Sequence, residues 1–406
     1  MAVPKLRFKE FDGDWTSKQL GKIIGISSAS RVFKEQWQDS GVPFFRTSDV
    51  VSIFKNKENE KAYISLELFE ELAKKSGKIK QGDLLVTGGG SIGIPYLVPN
   101  DQPLYFKDAD LLWMKSSGIV EGSFLYNFFI SPKFREYLKS ISHTGTISHF
   151  TIEQAKATPF GFPSKEEQTK IASFLSNVDE KINQLTQKHE LLSQYKQGMM
   201  QKLFSQQIRF KADDGSEFGE WKTKKLEDIF SFSRGEPFSK TDISENGEFL
   251  CIHYGELFTK YKEVITNISS KTSLLAKNLG EIGDILMPSS DVTPDGLAKA
   301  SCLNVSNVFL GGDINILRPQ IPCSSEFFSY LINFEKQKVL LCVTGTTVKH
   351  VYNKDLKKIG YIYPCLEEQT KIANFLSAID QKIEGVAQQI EQAKQWKKGL
   401  LQQMFV

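Results

Sequence analysis

Two short polar loops carry side chains suited to contact a nucleic acid. One reads Thr144-Gly145-Thr146-Ile147-Ser148-His149, and the other reads Thr344-Gly345-Thr346-Thr347-Val348-Lys349-His350. Hydroxyls, a glycine and a basic residue together suit hydrogen bonds to phosphate oxygens or to base edges. The same residues also suit a turn whose hydroxyls cap the chain that follows. Both interpretations stay open, since one loop can serve both purposes.

Two further segments have matching places in the two halves of the chain. Phe45-Arg46-Thr47-Ser48-Asp49 corresponds to Cys251-Ile252-His253-Tyr254-Gly255-Glu256. Arg46 could hold a guanine by a bidentate contact, or it could pair with an acid on the surface. The predicted nucleic-acid contacts are Arg46, Thr47, Ser48, Ser91, Thr144, Thr146, Ser148, His149, His253, Tyr254, Ser289, Ser290, Thr344, Thr346, Thr347, Lys349 and His350.

A glycine-rich run, Gly88-Gly89-Gly90-Ser91-Ile92-Gly93, stands where the second half has Ser289-Ser290-Asp291-Val292. It lacks the GK[ST] ending of a phosphate-binding loop and does not open a recognisable helix. Because glycine lets the backbone approach a ligand closely, a turn or a backbone approach to DNA is the better interpretation. No nucleotide or cofactor site is therefore predicted in this chain.

Motifs of independent catalysis are not found in the sequence. There is no P-loop, no HExxH pair and no Asn/Asp-Pro-Pro-aromatic tetrapeptide of a DNA methyltransferase. Five widely spaced cysteines without a CxxC pair argue against a disulfide framework and against a zinc site. The polar N-terminus and the lack of an 18-residue apolar run predict a cytoplasmic protein without a signal peptide or membrane span.

The strongest pattern is an internal repeat. Residues 160–204 match residues 361–405 without a gap, at an offset of 201, and 21 of the 45 aligned positions are identical. Weaker matches join Gly82-Asp83-Leu84-Leu85 to Gly283-Asp284-Ile285-Leu286, and Leu6-Arg7-Phe8-Lys9 to Ile208-Arg209-Phe210-Lys211. Between these anchors the halves share little. The pattern predicts one scaffold, used twice, with different residues presented on it.

The best-matched part of the repeat predicts a long helix in each half. Apolar residues recur at alternating spacings of four and three, which is typical of a coiled-coil seam. That seam consists of Ile171, Leu175, Val178, Ile182, Leu185, Leu192, Ile372, Leu376, Ile379, Ile383, Val386 and Ile390. His189, Lys196 and Lys397 interrupt it. Each helix would run about 40 residues, or about 60 Å, and each would bury its stripe against the other in an antiparallel pair.

The remaining sequence predicts two mixed globular domains and an α+β fold overall. The predicted segments are a domain at 1–162, a long helix at 163–206, a second domain at 207–363 and a second long helix at 364–406. The predicted strands are Val42–Arg46, Leu84–Thr87, Leu111–Lys115, Phe249–His253, Ile285–Pro288 and Ile314–Arg318. The predicted shorter helices are Leu66–Lys75, Gly122–Leu138 and Glu326–Leu341.

The duplicated PxxEEQTKIAxFL helix start, the Thr-Gly-Thr loop before it and the Gly-Asp-Leu-Leu element resemble the specificity subunit of type I restriction-modification systems. The resemblance covers essentially the whole chain. It implies two target recognition domains that each read half of an asymmetric, bipartite DNA site, and two conserved helices that separate them as a pseudo-two-fold tandem repeat.

The resemblance also implies partners and a division of labour. Two modification subunits, which bind S-adenosylmethionine and methylate adenine, would dock on the helices, and restriction subunits would join them. Glu166-Glu167-Gln168 and Glu367-Glu368-Gln369 would be structural or partner-facing, and no residue of this chain would be catalytic.

Two other functions stay open at this stage. One is the specificity subunit of a related system whose partner fuses methylation and cleavage in one polypeptide. The other is a protein-only coiled-coil scaffold, which the small formal net charge of +3 favours slightly. Two divergent domains on a matched frame favour DNA recognition over the scaffold.

Overall fold

The computed structural model describes residues 3–116, 118–141 and 149–406 of the 406-residue chain. The chain forms two compact units. Unit 1 comprises Met1–Gln187 and Ala387–Val406, and unit 2 comprises Lys188–Val386. Each unit therefore contains one globular part and one portion of each long helix. Helices and strands are mixed throughout both units, which confirms the predicted α+β class.

The strands of unit 1 are β1 Thr16–Gln19, β2 Ile26–Ser27, β3 Val42–Phe45, β4 Ala62–Ile64, β5 Leu84–Thr87, β6 Pro95–Leu97, β7 Tyr105–Phe106, β8 Leu111–Met114 and β9 Pro159–Phe162. They form a four-stranded sheet in the order β2-β8-β5-β6, a three-stranded sheet in the order β4-β3-β7, and the pair β1-β9. Only β3 and β7 pair in parallel among these strands.

The helices that begin in unit 1 share hydrophobic cores with these sheets and include the first long helix. They are α1 Thr47–Phe54, α2 Leu66–Ser76, α3 Gly122–Ile130, α4 Pro132–Ser140, α5 Ile152–Ala157 and α6 Lys165–Phe204. Phenylalanines dominate the core, where Phe124, Phe128, Phe134 and Phe160 are almost completely buried. Burial of this apolar surface is the main force that holds the unit together.

Unit 2 repeats this plan with a larger main sheet. Its strands are β10 Lys222–Lys225, β11 Phe230–Arg234, β12 Phe249–Ile252, β13 Val264–Ile265, β14 Lys271–Thr272, β15 Ile285–Pro288, β16 Ser290–Asp291, β17 Ser301–Leu303, β18 Phe309–Leu310, β19 Ile314–Pro319, β20 Lys349–His350 and β21 Gly360–Tyr363. The main sheet has five strands in the order β11-β19-β15-β17-β13, and a three-stranded sheet, β14-β12-β18, and two pairs, β10-β21 and β16-β20, accompany it.

The last helix that begins in unit 2 is the second long helix. They are α7 Tyr254–Thr259, α8 Pro294–Leu297, α9 Ser325–Phe334, α10 Gln337–Leu340, α11 Asn353–Leu356 and α12 Leu366–Met404. Before each long helix the chain forms the same antiparallel strand pair, β1 with β9 and β10 with β21. The two long helices therefore begin from equivalent local structures.

Opposite parts of the two long helices pack in each unit. In unit 1, Ile171 and Leu175 of α6 share a core with Leu400 of α12, and in unit 2 Leu203 of α6 shares a core with Leu376 of α12. Of the twelve predicted seam residues, Ile182 and Leu192 are half-buried and the others are buried. Continuous antiparallel pairing as a coiled coil stays a prediction, and so do the four predicted segment boundaries.

Two predicted helices were wrong in their extent. Gly122–Leu138 is two helices, α3 and α4, because Pro132 cannot continue a helix and Ser131 caps the second one, with its Oγ 3.4 Å from the N–H of Phe134. Glu326–Leu341 is likewise α9 and α10. The chain turns after Phe334, which brings Val339 into the same buried core as α9.

The predicted strands are present, but three of them end one residue early, at Phe45, Met114 and Ile252, and one runs one residue further, to Pro319. Arg46 and His253 are not strand residues, because each is the extended residue before a short helix, α1 or α7. These predicted ends were wrong because a carboxylate three residues later holds the backbone of each residue at a helix start. The N–H of Arg46 donates to Asp49 at 2.8 Å, and the N–H of His253 donates to Glu256 at 3.0 Å. Such a contact is part of a helix start signal.

Candidate nucleic-acid interface

The start of α1 carries Arg46, Thr47 and Ser48. Arg46 Nε lies 2.8 Å from Asp49 Oδ2, and Arg46 Nη2 lies 3.2 Å from Asp49 Oδ1 and also donates to the carbonyl of Glu60. This ion pair raises the pKa of Arg46 above its usual value. Of the two interpretations left open for Arg46, the structure contains the ion pair with an acid. A bidentate contact to guanine would require that pair to open.

Three separate segments of unit 1 meet around the main chain of Asp110. Its carbonyl accepts a hydrogen bond from the N–H of Gly88 at 2.8 Å and one from the hydroxyl of Thr47 at 3.4 Å. Gly89, next in the glycine run, forms an isolated antiparallel bridge with His149. The fold thus brings together the start of α1, the glycine run and the segment that contains His149.

Exposure differs among the predicted contacts of unit 1. Ser48, Ser91 and His149 are exposed, whereas Arg46 and Thr47 are half-buried. Thr144, Thr146 and Ser148 lie outside the described residues. The exposed members are free to reach a large ligand.

Unit 2 builds the equivalent site with different side chains. Ser290 of β16 lies opposite His350 of β20 in an antiparallel pair. The N–H of Ser289 donates to the carbonyl of Asp313 at 2.8 Å, and Arg234 Nη2 donates to Ser289 Oγ at 2.9 Å. Ser289 is therefore buried and held, while Ser290 and His350 are half-buried.

The loop before β20 is a tight hairpin. Backbone hydrogen bonds link Thr344 and His350 in both directions, at 2.8 and 3.0 Å, and Gly345 has a φ of +102°, which favours glycine. Lys349 Nζ donates to the carbonyl of Gly345 at 2.7 Å. Thr344, Thr346 and Thr347 are exposed. The segment is thus a turn that leaves three hydroxyl-bearing residues accessible for contacts.

His253 and Tyr254 lie in an aromatic cluster at the start of α7. The His253 ring is 4.5 Å from that of Tyr254 and 6.2 Å from that of Phe238, and its Nδ1 accepts a hydrogen bond from the N–H of Gly255 at 3.1 Å. Among the described residues, no hydrogen bond or ring contact joins either side chain to Ser290 or His350. These two predicted contacts are therefore not brought together with the others of unit 2.

Sequence reasoning missed Asp110 and Asp313, which organise the two sites. Each lies directly before a buried strand, β8 or β19, and its carbonyl accepts the N–H of the first loop residue after β5 or β15. A usable signal was present, since an aspartate precedes an apolar strand in both halves. The signal was missed because Asp110 and Asp313 are 203 residues apart, whereas the repeat was aligned at an offset of 201.

The two sites are equivalent in their backbone geometry. Gly89 and His149 of unit 1 correspond to Ser290 and His350 of unit 2 at the offset of 201, and each couple is paired in antiparallel fashion. The same backbone arrangement therefore occurs in both units, with a glycine in unit 1 at the position where unit 2 has a serine.

The repeated glutamate at the start of each long helix is a structural anchor. Glu167 is 1% exposed and accepts two hydrogen bonds from Arg7, both at 2.7 Å, and one from Trp15 Nε1 at 3.3 Å. Glu368 is fully buried and accepts the corresponding bonds from Arg209 and Trp221, at 3.1, 2.6 and 3.3 Å. A buried carboxylate needs such compensation.

The glutamine that follows ties the start of the long helix to the start of an earlier helix of the globular part, α3 in unit 1 or α9 in unit 2. Gln168 Oε1 accepts the N–H of Glu121 at 2.9 Å, and Gln369 Oε1 accepts the N–H of Ser324 at the same distance. Their Nε2 atoms donate to the carbonyls of Pro163 and Pro364. The second Glu and the Gln of each motif therefore have structural contacts, while Glu166 and Glu367 are exposed.

The repeated Gly-Asp turn before β5 and β15 also has a structural role. Gly82 and Gly283 have φ values of +84° and +91°, which a residue with a side chain rarely adopts. The carboxylates of Asp83 and Asp284 accept the N–H three residues earlier, at 2.9 Å in both units. The turn delivers the chain into β5 or β15, at whose far end the candidate sites lie.

The five cysteines are free thiols. Burial raises the pKa of Cys251 and of Cys323 to about 11, so these thiols stay protonated and unreactive near neutral pH. In the described ranges, no three His, Cys, Asp or Glu side chains are grouped to hold a metal ion. Within those same ranges, no helix combines the length and apolar composition needed to cross a bilayer.

Comparison with known proteins identifies the family. The sequence model described as the type I restriction modification DNA specificity domain matches residues 12–193 and 219–395. The chain belongs to this family. It is therefore a specificity subunit of a type I restriction-modification system and not itself a methyltransferase or a nuclease.

Relatives and solved structures match all or part of the chain. The type I restriction enzyme MjaIX specificity subunit of Methanocaldococcus jannaschii is 24% identical over 97% of this chain and 94% of that protein. The specificity subunit S.HindORF215P of Haemophilus influenzae is 29% identical, but over only 42% of this chain and 41% of its own length. The S subunit of M. genitalium shares the fold, with a TM-score of 0.61, 17% identity and coverage of 100% and 99%.

Proposed function

We propose that this specificity subunit reads a bipartite, asymmetric DNA site, one half with each unit, and docks modification and restriction subunits. The observation that carries the proposal is the equivalence of the two candidate sites. The Gly89–His149 bridge and the Ser290–His350 pair occupy the same place on one frame. A duplicated frame with different side chains suits two different sequences, because base edges are distinguished by side-chain hydrogen bonds.

Partner subunits are part of the proposal. Modification subunits would bind S-adenosylmethionine and supply the methyl transfer, and this chain would bind no cofactor. One structurally similar chain, with a TM-score of 0.57 and 16% identity over 97% of both chains, comes from work on complex assembly of a type I R-M system. Exposed residues of the long helices, including Glu166 and Glu367, are available for docking.

The test is methylome sequencing of a host that carries this gene and its modification subunit. We expect methylated adenines within one asymmetric motif of two specified parts and an unspecified spacer. The purified chain alone, incubated with DNA and labelled S-adenosylmethionine, should transfer no methyl group. A contiguous motif, or robust methyl transfer by the chain alone, would refute the proposal.

Helix length should control the spacer. Inserting seven residues after Gln187 and seven after Val386 keeps the seam in phase and lengthens each helix by about 10 Å. We expect a spacer longer by about three base pairs, at about 3.4 Å each, with both half-site sequences unchanged. Methylome sequencing measures both features, and altered half-sites with an unchanged spacer would contradict this expectation.

A further inference from the structure

Charged residues occupy the seam of the long helices at equivalent positions. Lys196 of α6 and Lys397 of α12 follow the four-three spacing of the apolar seam residues and are related by the offset of 201. Both are largely buried, with side chains 12% and 16% exposed. A buried ammonium is costly unless a carboxylate and good hydrogen bonds compensate it.

Each lysine pairs with an aspartate of the other long helix. In unit 1, Lys397 Nζ lies 2.6 and 2.7 Å from the two carboxylate oxygens of Asp179. In unit 2, Lys196 Nζ lies 2.8 Å from Asp380 Oδ1 and 3.1 Å from Glu263. The hydroxyl of Tyr330 also donates to Asp380 at 2.6 Å. Asp179 and Asp380 are themselves related by the offset of 201.

The two pairs are reciprocal, and this has a consequence for helix orientation. Each helix supplies one aspartate and one lysine, so each aspartate meets the lysine of the other helix. In a parallel pair with equivalent positions facing, Asp179 would face Asp380 and Lys196 would face Lys397. Like charges would then meet at both places, which disfavours that arrangement.

The pairs also oppose sliding of one helix along the other. A shift by one helical turn would move each aspartate about 5.4 Å along the axis from its lysine. Both buried ammonium groups would then lose these partners together. An apolar seam alone is more tolerant, because leucine and isoleucine can repack against other apolar residues.

We propose that Asp179, Lys196, Asp380 and Lys397 are positioning residues that specify the antiparallel orientation and the register of the long helices. Given the proposed function, on which this inference rests, they thereby determine the half-site spacing that the subunit accepts. They act through the helices and not by contact with DNA. Polar groups in helix seams are known to specify register at a cost in stability.

The decisive variant replaces one pair by apolar residues, Asp179→Leu with Lys397→Met. This pair is only partly buried, with the Lys397 and Asp179 side chains 16% and 42% exposed. Replacing such a pair by apolar residues changes stability little, so we expect a melting temperature close to that of the parent. Methylation at sites with the spacer changed by one base pair should rise about tenfold relative to the native spacer, within the range of coupling between contacting residues. A contribution to stability alone predicts a changed melting temperature and an unchanged spacer.

Two further variants complete the test in the assembled complex. The exchange Asp179→Lys with Lys397→Asp should restore the single native spacer, because opposite charges still meet in unit 1. A matched control on the exposed pair of α12, Glu391→Gln with Lys394→Gln, should leave the spacer unchanged. If the apolar variant is stable and accepts only the native spacer, the proposal is overturned.

A second measurement separates this inference from the proposed function. The Phe174 and Trp396 rings contact each other in unit 1, with centroids 5.9 Å apart, so spin labels on cysteines at these two positions should give one narrow distance distribution by EPR spectroscopy. In the apolar variant, a second distance should appear, because a shift by one helical turn moves one label about 5.4 Å along the axis. The same single distance in both backgrounds would overturn the register proposal. Failure of bipartite reading would instead appear in the unaltered subunit.

Discussion

Replacing Arg209 by methionine will lower the free energy of unfolding by about 3 kcal/mol, and Arg7→Met will have a similar effect. Each change leaves a buried carboxylate, Glu368 or Glu167, without the guanidinium that holds it. Breaking a buried pair from one side costs about 3–5 kcal/mol. The lower figure applies because Arg7 and Arg209 keep 15% and 23% of their side chains exposed.

Denaturant unfolding followed by tryptophan fluorescence measures this effect. Trp15 and Trp221 donate to the same two carboxylates, so their emission reports the two anchors. Glu166→Gln and Glu367→Gln are the matched controls, since these neighbours are exposed, and we expect changes within about 0.5 kcal/mol. An arginine variant as stable as its control would show that the anchors contribute little.

Replacing His350 by alanine will lower the base selectivity at the second half of the recognised DNA site and leave the selectivity at the first half unchanged. A side chain that contacts a base edge contributes about 1–3 kcal/mol of discrimination, or about 5- to 150-fold. His350 lies beside Ser290 in unit 2, at the place that His149 holds beside Gly89 in unit 1. We therefore expect His149→Ala to relax the first half alone.

The two histidine variants are controls for each other. Methylome sequencing of each should show relaxed choice at one base position, in opposite halves of the motif. A uniform loss of methylation at all sites would indicate a phosphate contact, because phosphates carry no sequence information. Relaxed choice in both halves from a single change would contradict the assignment of one half-site to each unit.

Several elements were predictable from the sequence because their signals are local or repeated. The four-three spacing of Ile171, Leu175 and Val178 predicts an amphipathic helix, since only that geometry places all three on one face. Strands such as Leu84–Thr87 were predictable from an apolar run after a Gly-Asp turn. The offset of 201 was enough to show that the structure would be built twice.

The predictions that failed depended on caps and packing. Gly122–Leu138 has helical periodicity throughout, but Ser131 and Pro132 start a new helix within it. The break of Glu326–Leu341 has no proline, and it follows from the burial of Val339 in a core formed by distant residues. Arg46 could be paired with its partner only once Asp49 was known to lie in the first turn of α1.

The sequence by itself determined that two copies of one α+β frame are joined to two long helices, because periodicity and repetition are properties of the chain alone. Only the tertiary structure decided which residues meet. It paired Glu167 with Arg7, Lys397 with Asp179 and Ser290 with His350. These partners lie far apart along the chain, and long-range contacts arise from the packing of buried surfaces that no local pattern encodes.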